Sequence, residues 1–370
     1  MSVQQKQQEA ELLKLRDEID AIDKQIHQLI NQRADCAQRV AHVKEKYQGV
    51  EDAVFYRPER EAQVLRKVME RNEGPLDDKS VARLFREVMS VCLAHEKPLN
   101  IAYLGPAGAF SQLAANKHFG NSAITIAVNS LSQVFNDVDA GIVNYGVVPI
   151  ENSTQGIATQ TLDLFKKYPL NICGEVELDI QLNLYALDSI ALADIVNVYA
   201  LNETLIQCSY WLDQHCPNAK RIVTNSLEEA EKLSQLGSQN CVVAGDGALA
   251  SQWRVVAQNI SSNNEHKARF LIVGNQKISA SGLDKTSLLI AAKDQPGALY
   301  DLLTPFRESD ISLLKIETYT GESPLGLECS VFYIDFEGHQ NDSIIQSILS
   351  QVKDKSVEMK VLGSYPRAVI

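Results

Sequence analysis

The sequence predicts a three-block chain: an all-helical segment, an α/β segment, and a smaller βαββαβ segment of ferredoxin-like order. Three observations carry this reading. Between residues 12 and 43 apolar side chains recur at alternating spacings of three and four, with no Gly or Pro. From Asn100 the period changes to short apolar runs separated by helical stretches. After residue 286 two strand–helix–strand units follow a polar connection. At 370 residues the chain exceeds what one ordinary core accommodates.

The first block spans residues 1–97. Its first helix runs from about Glu9 to Tyr47, with a seam of Leu12, Leu15, Ile19, Ile22, Ile26 and Leu29. At 1.5 Å per residue it is roughly 58 Å long, too long for a compact single-chain bundle. Gly49 ends it. A second helix starts with Pro58 in its first turn, where a missing N–H costs nothing, and ends at Gly74-Pro75. A third runs from Asp78 to about His95, with Val81, Leu84, Phe85, Val88, Met89 and Cys92 as its core face. Such unequal helices leave half of the first uncovered, which predicts a homodimer of entwined chains.

Arg33 occupies a seam position of the first helix, where an apolar residue belongs. Lys44 follows after nearly three whole turns, on the same face and about 16 Å along the axis. Two inward cations repel unless an anion lies between them. Glu61 and Glu96, on the other helices, can form the opposing wall. Arg16 is about 25 Å from Arg33 along the helix and can reach only a partner chain's pocket. The competing reading of Arg33 is an ion-pairing or register device.

In the second block "NIAYLG", "AITIAV", "NYGVVPI" and "NCVVAGD" read as strands. They alternate with helices over 111–119, 130–141, 154–168 and 226–236, a pattern of mainly parallel sheet. Residues 276–286 read as a linker. The third block reads strand 287–293, helix 297–309, strand 311–319, strand 327–337, helix 342–353 and strand 358–364.

Bulk properties exclude other classes. A net charge of −12 argues against nucleic-acid and anionic-membrane partners, without forbidding a local basic pocket. The chain holds no 18-residue apolar run, and its polar start lacks a signal peptide's apolar core, so a cytoplasmic location is expected. Seven scattered cysteines contain no CxxC pair and read as reduced thiols. The histidines show no metal-ligand spacing, so no metal is expected.

"LRDEIDAIDKQIHQLINQRADCAQRVAHVK", "FYRPEREAQVL" and "LFREVMSVCLAHEKPL" resemble the helical chorismate mutase domain. Continued through "YLGPAGAFS" and "VVPIENSTQG", the whole chain resembles the bifunctional chorismate mutase–prephenate dehydratases. The resemblance implies an entwined-dimer mutase over 1–97, a two-lobed α/β dehydratase over 98–275 and an ACT regulatory domain over 286–370. It implies that chorismate rearranges to prephenate by a pericyclic step needing no cofactor. Carried over by motif, Arg33 and a partner chain's Arg16 grip the two carboxylates, and Lys44 donates to a carboxylate and to the ether oxygen. Glu61 accepts from the ring hydroxyl, Arg57 and Arg60 flank the loop side, and Cys92 and Glu96 take third-helix positions. A glutamate at 96 donates to the ether oxygen only when protonated, which predicts a mutase favoured by acid.

The implied dehydratase expels a ring hydroxyl as a carboxylate leaves as CO₂, giving phenylpyruvate. Its retained elements are Ser111 at a helix start after a Gly-rich loop, and Glu151, Asn152 and Ser153. Arg269 stands in the family's Thr-Arg-Phe motif, but Ala268 replaces the threonine. Leu201 and Glu203 replace a histidine and a glutamine, and Ala109 replaces another threonine. These changes predict poor dehydratase turnover. The alternative reading is therefore an active mutase with a degenerate, non-catalytic ligand-binding or oligomerisation module. In the third block Gly297, Ala298 and Leu299 match the family loop that meets a phenylalanine effector. Of the family's Glu-Ser-Arg-Pro stretch only Glu317 remains, so feedback binding is weakened in this reading.

Overall fold

The computed structural model describes residues 3–49, 54–152, 156–245, 248–261, 267–292, 295–322 and 328–369. Three helices open the chain: α1 (Val3–Gln48), α2 (Pro58–Glu70) and α3 (Asp78–Glu96). With 46 residues, α1 is about 69 Å long. Gly49, at φ +86°, ends it by donating to Glu45 O. α2 stops at Glu70, short of the expected Gly74, because the following turn is tied instead by Asn72 to Leu76 O and Asp78. Asp77 caps α3 by accepting from Ser80 N.

The seam residues of α1 stand open: Ile19 is 55% exposed and Leu29 62%. On α3 the buried face is Ala82, Arg86, Ser90 and Cys92, while Leu84, expected in the core, is 59% exposed. The reason lies outside the helical block. α3 packs sideways onto the α/β region, where Gly120 comes so close that a Cβ there would sit 2.4 Å from Ser90 Cβ. Only glycine at φ +77° fits.

The first α/β lobe holds β1 (Asn100–Leu104), α4 (Phe110–Phe119), β2 (Ile124–Val128), α5 (Leu131–Asp139), β3 (Tyr145–Asn152), β4 (Gly156–Ile157), α6 (Thr159–Lys167) and β5 (Asn171–Asp179). The second holds β6 (Leu182–Ala186), β7 (Asn197–Ala200), α7 (Asn202–His215), β8 (Lys220–Val223), α8 (Leu227–Ser234), β9 (Asn240–Gly245) and β10 (Arg254–Ala257). The chain then returns to the first lobe as β11 (Lys267–Gly274), between β3 and β5. Both sheets are mixed rather than mainly parallel. β1, β2 and β3 pair in parallel, but the returning β11 runs antiparallel to both neighbours. In the other lobe β6 pairs antiparallel with β9 and β10. Two chain crossings between the lobes impose these reversals.

The last segment forms β12 (Asp284–Ala292), α9 (Ala298–Glu308), β13 (Leu313–Glu322), β14 (Glu328–Glu337), α10 (Ser343–Lys355) and β15 (Ser356–Pro366). Its sheet order is β13-β14-β12-β15, the expected βαββαβ arrangement, with the first strand starting three residues early. It has its own core around Leu288, Phe306, Phe336 and Ile348. Its other sheet face joins the first lobe's core through Leu289, Tyr333, Leu362 and Tyr365. β15 approaches β5 closely enough that a Cβ at Gly363 would lie 2.3 Å from Ile172 O. The connection before β12 is pinned to the helical block, since Arg66 of α2 donates to Ser281 O and Leu283 O.

Candidate active sites: a helical pocket and a two-lobed cleft

The helical block carries a pocket of about 300 Å³. Arg33 and Lys44 of α1 line it together with Arg57, Arg60 and Glu61 at the start of α2. Cys92 and Glu96 of α3 complete the expected set. Arg16 lies exposed on α1 and is not part of this pocket. Helix phase explains the convergence: Arg33, Ala37, Val40 and Lys44 follow one α1 face, and Cys92 and Glu96 are one turn apart on α3.

Sequence reasoning missed Phe55, Tyr56 and Phe119 in this wall. Phe119 belongs to α4 of the next block, so no periodicity within the helices could reveal it. Lys44 Nζ donates to Val54 O at 2.9 Å and lies 5.6 Å from the Phe55 ring centroid. Burial lowers the Lys44 pKa, helped by Arg57 and opposed by Glu96. Burial raises that of Glu96, and wins over Lys44 and Arg33, which pull it down. Glu61 is also pushed up by burial, with Arg86 opposing through a 3.2 Å ion pair. Arg86 also donates to Lys117 O, tying the pocket wall to α4.

Between the lobes lies a cleft of about 930 Å³. Helices α4, α6 and α7 begin on it, and their N-cap residues are Ala109, Ala158 and Leu201. None of the three makes a side-chain cap, and all three helix starts border the cleft. Ser111 and Glu151 line the cleft, as do Ala268 and Glu203. Ser153 lies outside the described residues, and of Asn152 only the backbone is described, at the end of β3. No lysine, arginine or histidine occurs among the described lining residues. Glu151 is held by Lys315 of β13 at 2.5 Å, and Lys315 also meets Glu317 at 3.2 Å. Thr159, Gln160, Thr224 and Asn225 were missed; they sit at helix starts and strand ends that carry no periodic signal.

Arg269, expected at the substrate, faces the other way. Ala268 and Phe270 line the cleft, and strand alternation sends Arg269 to the opposite face. There, 7% exposed, it donates to Glu175 at 2.9 Å and to Tyr365 at 3.1 Å, and pairs with Asp335 at 2.6 Å. Lys285 joins Glu175 at 2.8 Å. This buried cluster fastens the first lobe to the last segment. In that segment Gly297, at φ +84°, precedes α9, Ala298 is its first residue, and Leu299 is exposed.

Fold and site thus define an enzyme with two separate small-molecule centres, one in a helical bundle and one between α/β lobes. Comparison with known proteins agrees. The chorismate mutase type II model matches residues 15–97, and the prephenate dehydratase model matches residues 101–278. The chain is 45% identical to the bifunctional chorismate mutase/prephenate dehydratase of Pseudomonas aeruginosa, covering 97% of this chain and 99% of that one. Its identity to the protein of the same description from Stutzerimonas stutzeri is 46%, over 98% of this chain and 100% of the other. A prephenate dehydratase from Arthrobacter aurescens, solved in complex with L-Phe, superposes with a TM-score of 0.62 at 28% identity, covering 73% of this chain and 90% of that one. The chain belongs to the bifunctional chorismate mutase/prephenate dehydratase family. Among the described residues no helix is long and apolar enough to cross a membrane, and no cluster of three or more His, Cys, Asp or Glu could hold a metal ion.

Proposed function

We propose that this chain converts chorismate to prephenate in the helical pocket and prephenate to phenylpyruvate in the cleft, as two steps of phenylalanine biosynthesis. The observation that carries the mutase reading is the gathering of Arg33, Lys44, Arg57, Arg60, Glu61 and Glu96 around one pocket. Chorismate is a dianion, and its rearrangement needs the reactive conformer clamped and the charge on the breaking ether oxygen stabilised. Arg33 takes one carboxylate. Lys44 leaves Val54 O to meet a carboxylate and the ether oxygen. Glu61 accepts from the ring hydroxyl, and Glu96, in its protonated form, donates to the ether oxygen.

Arg16 of a second copy supplies the other guanidinium. The exposed seam of α1 supports this arrangement, because six large apolar residues along one stripe want a partner helix. In the cleft, helix starts supply N–H donors for the prephenate carboxylates, with Ser111 at the start of α4 and Asn152 at the end of β3 as further donors in this reading. We assign residues 1–97 to the mutase, 98–275 to the dehydratase and 286–370 to an ACT domain in the cytoplasm. Phenylalanine is its effector, at Gly297–Leu299 and Glu317, a reading supported by the L-Phe complex of the Arthrobacter relative.

The test is direct: incubate the pure protein with chorismate and follow prephenate and phenylpyruvate separately. Both should form. Prephenate alone would leave an active mutase joined to a non-catalytic cleft, as the substitutions at Ala268, Leu201 and Glu203 suggest.

A further inference from the structure

Loss of the ring hydroxyl from prephenate needs a proton, and the cleft offers few sources for it. Among its described lining residues only Glu151 and Glu203 ionise. Glu151 is engaged by the ammonium of Lys315 at 2.5 Å. Glu203 stands in the first turn of α7, across the cleft from the first lobe, and forms no ion pair among the described residues. Its carboxyl lies beside the backbone N–H of Phe110, at the start of α4, which draws its pKa down against burial. Nearby, Thr224 is 4% exposed and lines the same cleft, yet its Oγ1 has no hydrogen-bond partner among the described residues. A buried hydroxyl without a partner is costly unless a ligand completes it.

We propose that Glu203 is the general acid of the dehydratase centre, protonating the departing ring hydroxyl, and that Thr224 positions that hydroxyl. The proposal rests on the reading of the cleft as a prephenate site. In the step, the Glu203 proton goes to the hydroxyl oxygen, and the C–O bond breaks with its electron pair, releasing water. The pair of the ring-carbon–carboxylate bond moves into the ring as CO₂ leaves, and the ring π bond shifts to complete the aromatic system. Prephenate dianion and one proton give phenylpyruvate monoanion, CO₂ and water. Glu203, left as carboxylate, regains its proton from the water that reaches the open cleft.

The surroundings favour retention of the proton. The side chain is exposed to the cleft, and its partial desolvation there raises its pKa against the opposing Phe110 N–H. Glu151, with its Lys315, lines the same cleft from β3. From the turn before α8 come Thr224 and Asn225, and the carboxylate of Glu229 is taken by the Asn225 backbone and side-chain N–H groups. The facing positions on α4, α6 and β11 are Ser111, Thr159, Gln160 and Ala268, none charged. The one cation of α4, Lys117, sits at its far end, beside a His118 that burial keeps uncharged by lowering its pKa to about 3.

The test uses the full chain and purified prephenate, with the uncatalysed acid reaction subtracted and the mutase rate as a control for folding. Wild-type kcat should fall as pH rises through the raised pKa of Glu203. E203Q should lose at least about 100-fold in kcat, with KM little changed and the pH dependence gone. E203D should restore part of the rate and its pH dependence. T224V should lower kcat about tenfold while keeping the wild-type pH profile. If E203Q keeps kcat within about threefold of wild type, Glu203 is not the acid and the proposal alone falls. If the wild type makes no phenylpyruvate, the dehydratase reading falls with it.

Discussion

In the helical pocket four cationic side chains, Arg33, Lys44, Arg57 and Arg60, surround the space for the substrate. In the cleft no cation appears among the described lining residues, and the donors assigned there are backbone N–H groups at the starts of α4, α6 and α7. Both centres are assigned a dianion. The chemistry accounts for the difference. A pericyclic step needs a clamp and a charge facing the ether oxygen, which side-chain cations supply. A dehydration needs an acid that keeps its proton, and a neighbouring lysine or arginine would draw that proton away. In the proposed reading helix starts hold the carboxylates while placing only partial charge beside Glu203. The helical pocket holds the same conflict, and burial wins it: the Glu96 pKa is raised although Lys44 and Arg33 pull it down.

The sharpest break of this contrast is Arg33→Ala. Losing a two-pronged carboxylate contact worth about 3–5 kcal/mol should cut mutase kcat/KM by roughly 10²–10⁴-fold. Dehydratase kinetics on added prephenate should stay unchanged. If both activities fall together, the pocket and the cleft are not independent.

Mixing inactive Arg16→Ala with inactive Arg33→Ala protein under subunit exchange tests whether the cation set spans two chains. Each heterodimer then holds one intact centre, so about half the wild-type mutase rate should return per heterodimer. No recovery in verified heterodimers would confine the pocket to a single chain.

Ala158→Asp tests the other side of the comparison. Its carboxylate would cap α6, a helix start assigned to substrate, and would repel an anion. KM for prephenate should rise about 10- to 30-fold with the mutase unaffected. An unchanged KM would remove α6 from the binding site.

The acid dependence of the mutase is a finer probe. Because the Glu96 pKa is raised, its protonated, donating form persists further toward neutrality and is lost as pH rises through that value. Wild-type mutase activity should therefore decline toward alkaline pH. Glu96→Gln should flatten the profile and exceed wild type above neutrality. A flat wild-type profile from pH 5 to 9 would show that Glu96 is not the donor. The smallest effect concerns salt. Between 50 and 500 mM, KM for chorismate should rise several-fold, and KM for prephenate by less than about twofold, because full charges screen more than partial ones.

The sequence by itself determined the helical pocket almost residue by residue, and the order of the last segment. A helix fixes its own phase, so Arg33 and Lys44 are known to share a face before any tertiary contact is known. The same rule could have placed Arg269, since Ala268 and Phe270 flank it on one strand and alternation sends it to the other face. Only the tertiary structure decided the cleft. Its walls come from the turns before α4, α5, α6, α7 and α8 and from β3 and β11, places far apart in the chain, and the donors assigned there are backbone groups that every residue carries. The tertiary structure also decided which face of α3 is buried, because its packing partner is the α/β lobe rather than another helix of its own block. Local periodicity reports how a segment presents its own side chains. It carries nothing about which distant segment will face them.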